Sequence, residues 1–169
     1  MKRNGSNHVS KNNAFKACVL ETRVVVGAGG GPEKTILNTP RFMNCYGYPT
    51  CCAYMRSPDD DKFQTLVQRA ENLDCELIPV DDRGMFDFSV LRRMLQICEE
   101  RNVTIWHGHD YKSNLIGWYL RRKHPMKLVT TVHGWVHNTW KTPFYYAIDR
   151  WSRKRYDHVL CVSQDLRER

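Results

Sequence analysis

The sequence predicts an open, parallel α/β sheet of about six strands with helices on both faces. Three observations carry that prediction. From Lys16 onward, short apolar runs alternate with helical patterns about five times, the signature of repeated β-α-β crossovers. The runs are mostly apolar on both faces, as strands covered by helices must be. Finally, 169 residues with 41% hydrophobic and 26% charged side chains supply one full core and exclude wholesale disorder.

Residues 1–15 are rich in Asn, Lys and Ser and lack periodicity, so they read as a disordered basic tail before a single domain over 16–169. The first strand is Ala17–Leu20. Glu33–Tyr46 follows as a helix behind Pro32, a good first-turn residue, and Pro40 is expected to kink or break it. Thr50–Met55 is the second strand. The next helix, Asp60–Leu73, carries Phe63, Leu66, Val67 and Ala70 at helical spacing. Strand Glu76–Val80 leads to helix Phe88–Arg101, with Leu91, Met94, Leu95 and Cys98 on one face and Asp87 placed as its N-cap. Strand Thr104–His107 then precedes helix Tyr111–Lys123, with Leu115, Ile116, Tyr119 and Leu120 as its apolar positions. Strand Leu128–Val132, helix Thr142–Arg155 and strand Val159–Val162 complete the series.

The commonest six-strand order, 3-2-1-4-5-6, makes strands one and four neighbours and opens a ligand crevice at their carboxyl ends. Three segments would meet there. They are the loop Gly27–Lys34 after strand one, His107–Asp110 after strand four, and His133-Gly134-Trp135 after strand five.

Composition narrows the partners. Lys and Arg number 26 against 18 acids, a formal charge of +8, which attracts anions such as phosphate, a membrane surface or nucleic acid. Residues 1–16 hold four cations and no acid. Residues 141–155 hold five cations and one acid, so the two stretches account for the whole surplus. No nucleic-acid-binding motif accompanies the charge, so no nucleic-acid partner is expected. The aromatic-rich segment 140–156 could lie on an anionic membrane surface, or simply pack on the sheet with a solvated basic face. Mean hydropathy is −0.59, no apolar run is long enough to span a bilayer, and no secretory h-region follows the basic start. Seven cysteines without framework spacing read as reduced thiols. A cytoplasmic protein is expected, in peripheral contact with the inner membrane face at most.

Gly27, Gly29, Gly30 and Gly31 open a helix, where bare backbone and unpaired amides suit a diphosphate or a sugar. Glu33 stands where a Walker A loop needs glycine, and Pro32 takes the sixth position of a dinucleotide fingerprint, so neither nucleotide motif is matched. His107-Gly108-His109-Asp110 falls short of the H-x-H-x-D-H pattern of metal-dependent hydrolases, and Asp110 has a plain role as a helix N-cap. No metal is expected. His133, emerging from a buried strand, can hydrogen-bond a sugar hydroxyl or phosphate and carry a proton near neutral pH.

In order along the chain, Gly29–Thr35, Ile105–Asp110 with Tyr111–Asn114, Val129–Gly134 and Tyr156–Ser163 resemble the amino-terminal domain of retaining glycosyltransferases of family four, the Rossmann-like amino-terminal half of a GT-B fold. The resemblance covers roughly Ala17 to the end. It implies sugar transfer from a nucleotide-sugar donor, a co-substrate and not a bound cofactor, to a glycan or lipid-linked acceptor. Gly29, Gly30 and Gly31 would contact the donor, and His133 the transferred sugar or the acceptor, as the catalytic residue. His109, Asp110 and Lys34 would line the acceptor side. The family's donor-binding carboxy-terminal domain is not in this sequence. The resemblance therefore implies a fragment, or a separate donor-domain chain as partner, and a domain inactive alone. The alternative is a non-catalytic module that binds a sugar or an anionic lipid headgroup. A metal-dependent hydrolase is the weaker third reading.

Overall fold

The structure, a computed structural model, describes residues 17–84, 86–133 and 142–164. The expected basic tail, Gly134, Trp135, Trp140 and Lys141 fall outside those residues. Six strands, β1 (Val19–Val24), β2 (Thr50–Arg56), β3 (Leu77–Asp81), β4 (Ile105–Gly108), β5 (Lys127–Val132) and β6 (His158–Cys161), form one sheet in the order β3-β2-β1-β4-β5-β6. Every pairing is parallel. The helices are α1 (Gly31–Cys45), α2 (Gln64–Asn72), α3 (Ser89–Glu100), α4 (Tyr111–Leu120) and α5 (Thr142–Arg153), with one 3₁₀ turn, Asp61–Phe63, leading into α2.

Two apolar layers sandwich the sheet, and β2 shows how the sequence feeds both. Cys51, Ala53 and Met55 enter the layer that holds Met94, Ile97, Trp106 and Leu128. Cys52 and Tyr54 enter the opposite layer, with Ile36, Leu37, Phe63 and Leu66. Alternate residues of a strand point to opposite faces, so a strand apolar throughout serves two cores. In α1 and α2 the buried positions Ile36, Leu37, Leu66 and Ala70 cover one face, and in α3 and α4 Val90, Met94, Ile97, Ile116 and Leu120 cover the other.

Two expectations need correction. The first strand does not stop at Leu20; β1 runs on to Val24. Its polar residues stay in the strand because each finds a polar partner. Glu21 faces His107 in register, Thr22 donates its hydroxyl to the His107 carbonyl at 3.1 Å, and Arg23 pairs with Glu33. Nor does Pro40 break its helix, since α1 is continuous from Gly31 to Cys45 with Pro40 buried inside. The carbonyl that proline cannot reach, Ile36 O, faces the Cys52 thiol at 4.0 Å.

Candidate functional site

The carboxyl ends of β1, β4 and β5 bring together the glycine loop, His107–Asp110 and His133. Asp110 is the hinge of this arrangement. One carboxylate oxygen accepts from the backbone amides of Lys112 and Ser113, both at 2.9 Å, capping α4. The other accepts from Val24 N at 2.7 Å, tying the helix start to the end of β1. Both oxygens are thereby engaged with backbone.

Behind the hinge lies a chain of buried polar groups. Glu21, 1% exposed, accepts on one oxygen from His107 Nδ1 at 3.0 Å and from His109 Nε2 at 2.6 Å. Burial alone would raise its carboxyl, but the bonds from the two imidazoles outweigh burial and hold it at about 2. Glu21 is thus an anion that can only accept, and this fixes the protons along the chain. His109 must carry its proton on Nε2. Its burial lowers it below the ordinary histidine range, so it is neutral and its Nδ1 is a lone pair. His133 Nε2, 2.9 Å from that Nδ1, must then be the donor. Burial, with the neighbouring His109 and Arg23, lowers His133 to about 4. At neutral pH His133 therefore keeps a proton on Nε2 and presents Nδ1 as an acceptor. On the other arm His107 donates through Nδ1, and its Nε2 lies 2.8 Å from the Thr131 hydroxyl.

The same chain reaches the glycine loop. Arg23 donates to the His109 carbonyl at 3.1 Å and pairs with Glu33, whose second oxygen accepts from Gly30 N at 2.6 Å. Gly27 N is likewise taken, by Asp60 Oδ2 at 2.5 Å. Two of the loop amides expected to meet a diphosphate, those of Gly27 and Gly30, already face carboxylates of the protein, which a phosphate would have to displace. Gly29 has φ +66°, and a Cβ there would stand 3.0–3.1 Å from Glu33 and Leu66 carbons, so glycine is needed for the turn itself. A Cβ on Gly31 would meet nothing within 4 Å, which makes Gly31 the glycine that faces open space. Lys34 is exposed in the first turn of α1.

Of the predicted site residues, His133, His109 and Asp110 share one polar network that extends to Gly30. His109 is 8% exposed and both its ring nitrogens are bonded within the protein. Glu21 and Arg23 escaped sequence reasoning. Their signal was charge between the apolar ends of a strand, the pattern of a side chain with a buried partner.

Glu21, His107 and His109 are the described residues whose donor atoms lie close enough, all within 4.8 Å, to share a cation. Their spacing fits hydrogen bonds better. Ligands about 2.0–2.1 Å from a tetrahedral zinc stand about 3.3 Å apart, wider than the 2.6 Å between Glu21 and His109.

The family model for Glycosyltransferase Family 4 matches residues 29–169. The chain belongs to glycosyltransferase family 4. No curated protein matches it in sequence. Among solved structures it is similar to a glycosyltransferase from Rickettsia africae, at 18% identity and a TM-score of 0.65, covering 91% of this chain and 38% of that one. The apo lipopolysaccharide outer core galactosyltransferase WaaB superposes at 12% identity and a TM-score of 0.64, covering 89% and 41%. Anabaena HepE in complex with UDP does so at 11% identity and a TM-score of 0.59, covering 84% and 36%. At such identities the likeness is one of fold, and this family 4 chain spans about two fifths of each of those proteins.

Proposed function

We propose that this chain is the acceptor-side domain of a retaining glycosyltransferase, moving a sugar from a nucleotide-sugar to a glycan or lipid-linked acceptor. The observation that carries the reading is His133. Its imidazole ends the buried relay, at the edge where the glycine loop and the start of α4 converge, with Nε2–H donated inward. Nδ1 is left to accept from a hydroxyl of the transferred sugar or of the acceptor. Gly31, on the open side of the loop, lies toward the donor, and Lys34 one helical turn on offers a cation. The nucleotide is proposed to be a uridine diphosphate because the similar HepE is described in complex with UDP. Transfer requires a donor-binding domain as partner, as the family resemblance implies, to supply the groups that stabilise the departing diphosphate.

The test is transfer by the protein that joins this domain to its donor-binding domain, with UDP-sugars offered against glycan and lipid-linked acceptors. The expected product keeps the anomeric configuration of the donor. His133→Ala should lower kcat by about 10²-fold or more while circular dichroism stays unchanged, and Gly31→Val should raise the donor KM. An inverted product, or unaltered turnover in His133→Ala, overturns the reading.

A further inference from the structure

At the end of the sheet opposite the crevice, a cavity of about 560 Å³ is lined by Cys18, Cys51 and Cys75 together with Glu71, Glu76 and Arg101. Cys75 follows Asp74, which adopts a left-handed φ of 51°. That turn closes with Cys75 N donating to the Ala70 carbonyl at 3.0 Å, which sets the Cys75 side chain against β2. Behind it lies Cys52, fully buried in the apolar layer under α1 and α2. The two sulfurs are 3.7 Å apart, and Cys52 N donates to the Glu76 carbonyl at 2.9 Å, pinning the two backbones together one residue from Cys75.

We propose that Cys52 and Cys75 form an oxidisable pair, with Cys75 the thiol that a hydroperoxide attacks from the cavity and Cys52 the thiol that resolves it into a disulfide. The geometry asks for little. A disulfide needs about 2.05 Å between sulfurs, so a gap of roughly 1.7 Å is shared between two side chains.

Cys18, Cys51, Cys52 and Cys75 are not equivalent. Burial pushes the Cys51 thiol up to about 12 and raises Cys18. Cys52 is raised by its contact with Cys75 and by burial. Cys75 alone is lowered, by the same contact with Cys52 that outweighs its own burial. The thiolate is the nucleophile, and of the two paired sulfurs Cys75 is the one whose residue lines the cavity.

The chemistry balances with the hydroperoxide as oxidant. The Cys75 thiolate takes the terminal peroxide oxygen as the O–O bond breaks, giving a sulfenic acid and, from hydrogen peroxide, hydroxide. The Cys52 sulfur then attacks the Cys75 sulfur; the S–O bond breaks, the S–S bond forms, and water leaves with the Cys52 proton. Two electrons pass from the pair of sulfurs to the peroxide.

The experiment treats the reduced 169-residue chain, carrying Cys45→Ser to remove an exposed thiol, with one equivalent of hydrogen peroxide. The expected product is lighter by about 2 Da, the two hydrogens lost. It has two fewer thiols after denaturation, and a proteolytic fragment joins Cys52 to Cys75 until dithiothreitol releases it. In Cys52→Ser, dimedone should trap a sulfenic acid on Cys75. A cross-link between other cysteines, thiol loss without a cross-link, a full thiol count after treatment, or dimedone on Cys18 or Cys51 in place of Cys75 would each overturn the proposal. The cross-link map needs no variant at either sulfur, so it stands even if Cys52→Ser folds poorly.

Discussion

Glu21 decides the proton arrangement of His109 and, through it, of His133. An ionised carboxylate at the closed end of a hydrogen-bond chain leaves each next group one arrangement, and the last consequence is a His133 whose Nδ1 is bare at neutral pH. Glu21→Gln removes that constraint, because an amide can donate as well as accept and His109 is then free to adopt either tautomer. Nitrogen NMR of the wild-type chain is expected to show His133 protonated on Nε2 only. The Gln variant should show a mixture of tautomers, with stability lower by about 2–4 kcal/mol for the loss of charge-assisted bonds to buried imidazoles. A single unchanged His133 tautomer in the variant would mean that Glu21 does not govern it. Glu21 was invisible in the sequence for a physical reason. A charged residue beside an apolar run ends a strand on local pattern alone, and only partners 86 and 88 residues away, His107 and His109, make its burial tolerable.

At the scale of elements, α4 is held by its N-cap and by one glycine. Asp110 accepts two helix amides and the Val24 amide, so Asp110→Ala loses a cap and strands a strand-end donor. The expected cost is about 2–4 kcal/mol in urea unfolding, and a cost under about 0.5 kcal/mol would show that solvent replaces the carboxylate. Gly117 lets α4 approach β4, since a Cβ there would lie 2.4 Å from Trp106 Nε1 and 2.8 Å from the Tyr156 hydroxyl. Gly117→Ala should therefore destabilise by about 1–3 kcal/mol despite alanine's better helix propensity, and a stabilised variant would contradict the close packing.

The Asp110 cap was readable in the sequence because it is local, an acid directly before a helical pattern. Gly117 was not, because its reason is Trp106 on another element. Pro40 misled in the opposite direction. Its local rule predicts a break, and the tertiary packing that buries the ring keeps the helix whole. At α5, Trp151 packs edge-on against Trp118 with centroids 4.8 Å apart, and Arg155 and Arg122 lie over those rings at 3.7 and 4.1 Å. Part of the basic, aromatic composition around 140–156 is thus engaged in helix–helix packing, which a helical pattern read alone leaves open.

For the whole molecule, strand order was the most legible feature, because alternation and handedness leave few topologies, and that order is what joins β1, β4 and the end of β5 through one polar chain. The chain makes the fold sensitive to acid in a defined direction. His133 and His109 are lowered in the fold, so below about pH 6.5 the unfolded chain takes up protons that the folded one refuses. Their contribution to stability is complete above that pH and drains away as the pH falls, down to about 4 for His133. Glu21, held at about 2 against an ordinary 4.5, adds stability that is complete above 4.5 and is lost between 4.5 and 2. Unfolding is favoured on acidification in both windows, because the unfolded state binds more protons in each. The urea midpoint of the wild-type chain should therefore decline from pH 7.5 to 4.5 and fall faster below. His133→Gln should flatten the upper part of that decline and leave the steep lower part, which belongs to Glu21 together with the other carboxylates lowered in the fold, Glu33 and Asp157 among them. A midpoint constant between pH 7.5 and 4.5 would show that the histidines are as free to protonate in the fold as outside it, and the proton arrangement assigned to His133 would fall with that result.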